Sequence, residues 1–134
     1  AAVGAPIVEA EPEPETAVPV FDLAGTLERL GDDAELLKEV AAIYISSVQS
    51  QIDAIGASLE NGALEEVYRE AHSLKGATAT FEARAALAAV TELEACGRRG
   101  DAAAAGAAYA AAKVLVAQLV AELAPIAEEG TQVA

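Results

Sequence analysis

The sequence predicts an all-α protein, an antiparallel up-down-up-down four-helix bundle with a short extra N-terminal helix. Three observations predict it. Hydrophobic residues make up 54% of the 134-residue chain and aromatics only 4%, with Ala the main contributor, followed by Leu, Val and Ile. That palette suits closely packed helices rather than a β-sandwich. From Asp22 onward apolar residues recur at steps of three and four, and no alternating strand pattern competes. The periodic stretches are joined by connections of a few residues, which make neighbouring helices antiparallel.

Residues 1–20 stand apart. They hold Pro6, Pro12, Pro14 and Pro19, four glutamates (Glu9, Glu11, Glu13, Glu15) and no basic residue. Alternating Glu and Pro blocks helical hydrogen bonding and favours extended, solvated chain, so this segment reads as an acidic linker or tail. The bundle is expected over residues 21–128, with residues 129–134 as a flexible C-terminal tail.

A short helix fits Asp22–Leu30 and breaks at Gly31. Asp32 is the expected cap of a long second helix, with Glu35 in the capping-box place. Its apolar stripe is Leu37, Val40, Tyr44, Val48, Ile52, Ile55 and Leu59, and Asn61-Gly62 ends it. The third helix carries Leu64, Val67, Ala71, Leu74 and Thr78 on one face. Thr80 is the expected cap of the fourth, with Glu82 in its first turn, where the helix dipole favours an anion. That helix should bury Leu87, Val90 and Leu93 and stop at Gly97-Arg98-Arg99-Gly100. Asp101 caps the fifth, whose stripe is Ala105, Ala108, Ala112, Leu115, Leu119, Leu123 and Ile126, with Pro125 loosening the last turn.

Composition excludes several functions. A formal net charge of −14 disfavours nucleic acid, which needs clustered Lys and Arg, and an anionic membrane surface. One cysteine, Cys96, allows no internal disulfide and fits a small core residue, and one histidine, His72, leaves no second imidazole for a zinc site. No stretch reads as a transmembrane helix, because the least polar run, Ala102–Ala112, ends at Lys113. No signal peptide is visible, and with Ala at position 1 and no Met the chain is expected to be a piece of a longer one. No Gly-rich phosphate loop is present, so no nucleotide site is expected.

The informative segment is Ala71-His72-Ser73-Leu74-Lys75-Gly76. Ala71 and Leu74 face the core, which sets His72 at the edge of the buried stripe, among Tyr68, Arg69, Lys75 and Gly76. Glycine inside a helix costs about 0.5–1 kcal/mol relative to Ala, so Gly76 has a purpose, and a missing side chain one turn from the imidazole clears space above it. Arg69 and Lys75 place positive charge near the ring in an otherwise acidic chain. Neutral imidazole is nucleophilic near neutral pH, which makes His72 a candidate phosphoryl carrier with Lys75 stabilising phosphoryl charge. The plainer reading is a half-buried histidine with a solvated lysine beside it. Glu65, Glu66 and Glu70 read as a solvated face.

The run His72-Ser73-Leu74-Lys75-Gly76 resembles the signature of histidine-containing phosphotransfer domains of two-component phosphorelays. Leu27-Glu28-Arg29-Leu30-Gly31 with Leu36-Leu37, and later Leu93-Glu94, Gly97-Arg98 and Gly100-Asp101, are similar to other parts of that family, and the likeness covers about residues 22–127. It implies His72 as phosphoacceptor, Lys75 assisting near the phosphoryl group, Gly76 providing clearance, and a receiver domain docking over the site. Tyr68, Arg69 and Ala79 are the residues expected to touch that partner, and Arg98-Arg99 are further candidates for an acidic receiver surface. No cofactor is expected in this chain, Mg²⁺ being the receiver's. One departure stands out: Glu82 occupies the place where the family usually has a glycine, in the turn before the fourth helix.

The resulting expectation is a monomeric, cytoplasmic carrier module without autokinase activity, from a hybrid sensor kinase that is itself membrane-anchored or not. The alternative is a helical interaction module in which His72 is vestigial.

Overall fold

The computed structural model of the chain describes residues 20–129. The expected acidic linker and the C-terminal tail lie outside the described residues, apart from Val20 and Glu129. Among the described residues there are five helices and no strand: α1 Leu23–Arg29, α2 Ala34–Glu60, α3 Leu64–Ala79, α4 Arg84–Arg99 and α5 Ala102–Glu129. The four long helices close a ring in which α2 packs on α3, α3 on α4, α4 on α5, and α5 back on α2. α1 touches α2 at one end.

Local chemistry explains most boundaries. Asp22 caps α1, its carboxylate accepting from Gly25 N–H at 2.9 Å, while the buried Thr26 hydroxyl donates to the Asp22 carbonyl at 2.6 Å. The cap of α2 is Asp33, which accepts from Leu36 N–H at 3.0 Å; the expected Asp32 is the residue before it, in the left-handed region at φ 60°. A capping residue needs extended backbone, which Asp33 has and Asp32 lacks. Glu35 therefore misses the third helical position of a capping box. At the other ends, Gly62 and Gly100 follow α2 and α4 at φ 68° and 73°, as the helix-stop patterns require. Asp101 caps α5 by accepting from Ala104 N–H at 3.1 Å.

The α3–α4 connection departs from expectation. Thr80 closes α3 rather than opening α4, which begins at Arg84 after Ala83 with no side-chain cap. Phe81 decides this. Its ring is fully buried and meets Tyr44 edge-on, with centroids 5.2 Å apart. Seating it there turns the chain, and Glu82 takes the left-handed conformation at φ 52°. A glycine suits that backbone better than any other residue. Glu82 is thus a turn residue, not a first-turn helix residue, and its carboxylate accepts from Arg29 Nε at 2.9 Å, tying the turn to α1.

The core lies among α2–α5, where Leu37, Tyr44, Ile55, Leu74, Val90, Leu93, Leu119 and Leu123 interdigitate with Ala41, Ala71, Ala86, Ala105 and Ala112. The helix phases shift slightly from the expected stripes. Val40, Leu59, Leu64, Leu87, Leu115 and Ile126 are only partly buried, and Ala41, Ala86 and Val116 take the inward positions. Alanine inward allows close axes, and the longer neighbours cover the seam. In the first third of α5, Tyr109 donates to the Ile52 carbonyl at 2.9 Å over Gly56, where a Cβ would sit 2.5 Å from the hydroxyl.

α5 also corrects the membrane-length reading. It continues through Lys113 and Pro125, and by length and composition it is apolar enough to cross a membrane, because alanine hydropathy accumulates over the whole helix. Only 22% of its most apolar window is buried, yet the edge formed by Ala105, Ala112, Leu119 and Leu123 completes the core, the role of a bundle helix.

Candidate functional site

His72 lies at mid-length of α3. Ala71 and Leu74 are buried beneath it, so the imidazole is held at the rim with its side chain 62% exposed. Its Nδ1 is 2.6 Å from Oε2 of Glu94 on α4, and the other carboxylate oxygen, Oε1, is 2.7 Å from Lys75 Nζ. Glu94 itself is 4% exposed and Lys75 33%. One buried carboxylate thus bridges an imidazole and an ammonium that both reach solvent.

The electrostatics follow from this geometry. The Lys75 hydrogen bond holds the Glu94 carboxyl below the usual carboxylate range, assisted by His72 and opposed by burial. Glu94 is therefore ionised near neutral pH, and an ionised carboxylate only accepts. Neutral His72 must carry its proton on Nδ1 and donate it to Glu94, leaving Nε2 with a free lone pair. Chemically, this is a nucleophilic nitrogen in one tautomer, beside a carboxylate able to offset positive charge that develops on the ring.

The other residues singled out from the sequence fall as follows. Gly76 is exposed, and a Cβ there would meet no atom within 4 Å. Nothing inside the chain requires this glycine, in contrast with Gly97 on α4, where a Cβ would lie 2.8 Å from the Tyr68 backbone nitrogen. Tyr68 stands one turn before His72 with ring centroids 6.2 Å apart. Arg69 turns to Glu66 and, at 3.7 Å, to Glu65, so its charge is matched by the preceding turn rather than left free beside His72. Ala79, two turns beyond His72 on the same face, is partly buried at the end of α3. Glu65 is solvated, whereas Glu70 accepts from the Ser58 hydroxyl at 3.0 Å and so links α3 to α2. Burial, followed by Glu92, pushes the Cys96 thiol up, so it stays protonated as a small core residue.

Glu94 is the site residue that the reading of the sequence missed. A signal existed: Val90, Glu94 and Gly97 are spaced by four and three, so the carboxylate falls on the apolar stripe of α4. A charge on such a stripe needs a partner, and the only histidine is 22 residues away. Among the described residues no cluster of His, Cys, Asp and Glu could hold a metal ion.

A ring of four long helices with one oriented imidazole at its solvent-facing rim defines a class, that of all-helical bundle domains. Within that class, the family model described as the Hpt domain matches residues 39–125, and the chain belongs to the Hpt domain family. Members of this family are phosphocarriers rather than kinases and work with receiver domains in two-component phosphorelays. Neither among curated proteins nor among solved structures is there a significant match.

Proposed function

We propose that His72 carries the phosphoryl group. Nε2 attacks the phosphorus of a receiver phospho-aspartate, the N–P bond forms as the P–O bond breaks, and the aspartate leaves as carboxylate. The ring then holds the phosphoryl on Nε2 and the proton on Nδ1, and Glu94 offsets its positive charge. Transfer onward is the same step reversed, with the carboxylate of a second receiver as nucleophile. Lys75, at the rim, has donors to spare for the phosphoryl oxygens while it holds Glu94. Gly76 leaves room for the receiver, and Tyr68, Arg69 and Ala79 lie along the face it would cover. Mg²⁺ and most of the transition-state stabilisation belong to the receiver.

The observation that carries this reading is the exposed His72 ring held through Nδ1 by a buried, ionised carboxylate. In the same reading the bundle runs up-down-up-down, spans residues 21–128, acts as a cytoplasmic monomer without autokinase activity and belongs to a hybrid sensor kinase. Incubation with a phosphorylated receiver tests the carrier role. Acid-labile label on the wild type and none on His72→Gln is expected. Label that persists in His72→Gln, or a wild type that no receiver labels, would leave a helical interaction module with an idle histidine.

A further inference from the structure

Resting on the phosphorelay reading, we infer that the docking surface for the receiver extends from His72 across Tyr68 to Arg98, and that Arg98 takes a carboxylate of the receiver beside an apolar side chain seated in the α3–α4 groove. Arg98 lies in the last turn of α4, on the flank that faces α3. Its guanidinium lies 5.3 Å from the centroid of the Tyr68 ring, whose other neighbour is the His72 ring. A partner large enough to cover His72 meets these three planar groups in sequence.

Charge separates Arg98 from its neighbours. Arg29, Arg69, Lys75 and Arg99 each lie within 4.0 Å of a carboxylate, and among the described residues Arg98 does not. Lys38, Arg84 and Lys113 are likewise without one, but they sit on α2, at the opposite end of α4 and on α5. Glu65, which shares the groove, lies 3.7 Å from Arg69 and not within 4.0 Å of Arg98, so no carboxylate among the described residues holds the Arg98 guanidinium. A guanidinium over an aromatic face keeps its N–H donors, since the ring takes none of them as a strong acceptor, and five donors in a planar fork suit a carboxylate through two hydrogen bonds.

The groove is also preformed. It has a volume of about 420 Å³ and is lined by Leu64, Glu65, Tyr68, Gly97, Arg98 and Gly100. Gly97 lets α4 press against the α3 backbone at Tyr68 and Leu64, which fixes the floor. A rigid apolar floor with one oriented cation at its edge binds without first having to be ordered.

Receivers charged with acetyl phosphate are presented to the wild type, Arg98→Glu, Arg98→Lys, Arg99→Glu and His72→Gln. Arg98→Glu should raise the receiver concentration for half-maximal transfer by about ten-fold, with the rate at saturation within about two-fold of wild type. Arg98→Lys should retain part of the affinity. Arg99→Glu, whose native side chain faces Glu92, should stay within about two-fold of wild type throughout. Exchanging one receiver Asp or Glu for Lys should restore transfer to Arg98→Glu. Unchanged half-saturation in Arg98→Glu overturns the inference, as does an equal loss in Arg99→Glu, which would reduce the effect to net charge. A wild type that accepts no phosphoryl group, or a His72→Gln that does, strikes the phosphorelay reading itself and this inference with it.

Discussion

Replacing Glu94 by Ala separates the positioning of His72 from the stability of the bundle. The substitution removes the acceptor of both the 2.6 Å contact to Nδ1 and the 2.7 Å contact to Lys75. Hydrogen bonds to charged groups contribute about 1.5–3 kcal/mol when sheltered. His72 is 62% exposed, so screening by water brings its share down to about 1–1.5 kcal/mol. If that energy holds the Nδ1–H tautomer and offsets charge on the ring during attack, its loss slows transfer by about five- to ten-fold. Both former partners reach solvent and are rehydrated, and the desolvation cost of the buried carboxylate disappears with it. The two lost contacts are therefore largely offset, and the net loss to the fold should be about 1 kcal/mol. The assay pairs transfer rates from a phosphorylated receiver with nitrogen-15 NMR of the imidazole, which reports the protonated nitrogen. Glu94→Gln, which keeps one acceptor oxygen, should fall between wild type and Glu94→Ala. Transfer within two-fold of wild type in Glu94→Ala, with the Nδ1–H tautomer intact, would refute the positioning role.

The same carboxylate predicts a pH dependence. Because the folded pKa of Glu94 is depressed, its contribution is complete above the unfolded value of about 4.3 and is lost as pH falls toward the lower folded value. The stability difference between wild type and Glu94→Gln, measured by urea unfolding, should therefore be constant near neutrality and shrink below about pH 4. Gly76→Ala should raise stability by about 0.5–1 kcal/mol, a few degrees in thermal unfolding, because its Cβ meets nothing. Gly76→Leu should keep the helix content while slowing transfer severely; unchanged transfer would discard the clearance role. Gly97→Ala should destabilise by about 1–3 kcal/mol in the same melts, since the Tyr68 backbone cannot retreat as a flexible side chain would. Glu82→Gly should be close to neutral, the relief of a left-handed backbone offsetting an exposed ion pair worth about 0–1 kcal/mol, whereas Glu82→Val should lose about 1–2 kcal/mol.

Much of this was legible along the chain. The apolar periodicity located every helix, and the cap at Asp101 and the stops at Gly62 and Gly100 followed from local backbone chemistry. The segment His72–Gly76 marked the site because a lone histidine, a lysine and a costly glycine share a few residues of one helix. The misplaced starts have local causes. Two adjacent aspartates compete to cap α2, and the choice between Asp32 and Asp33 depends on which one the preceding turn forces into the left-handed region. Thr80 looked like a cap because its hydroxyl suits one, but burying Phe81 against Tyr44 required the chain to turn before α4 began.

What the sequence by itself determined was periodic or contiguous: an all-helical chain, the inward faces to within one residue, and a lone histidine with a lysine and a helix-interior glycine within about one turn of it. What only the tertiary structure decided depends on the contact between α3 and α4. Helix periodicity orders residues three or four apart, and it carries no information on which residue of a second helix arrives opposite. The packing of α4, brought close by Gly97, set the Glu94 carboxylate beneath His72 and Lys75 and left Arg98 over Tyr68, and so decided which ring nitrogen is free and which unpaired arginine borders the histidine.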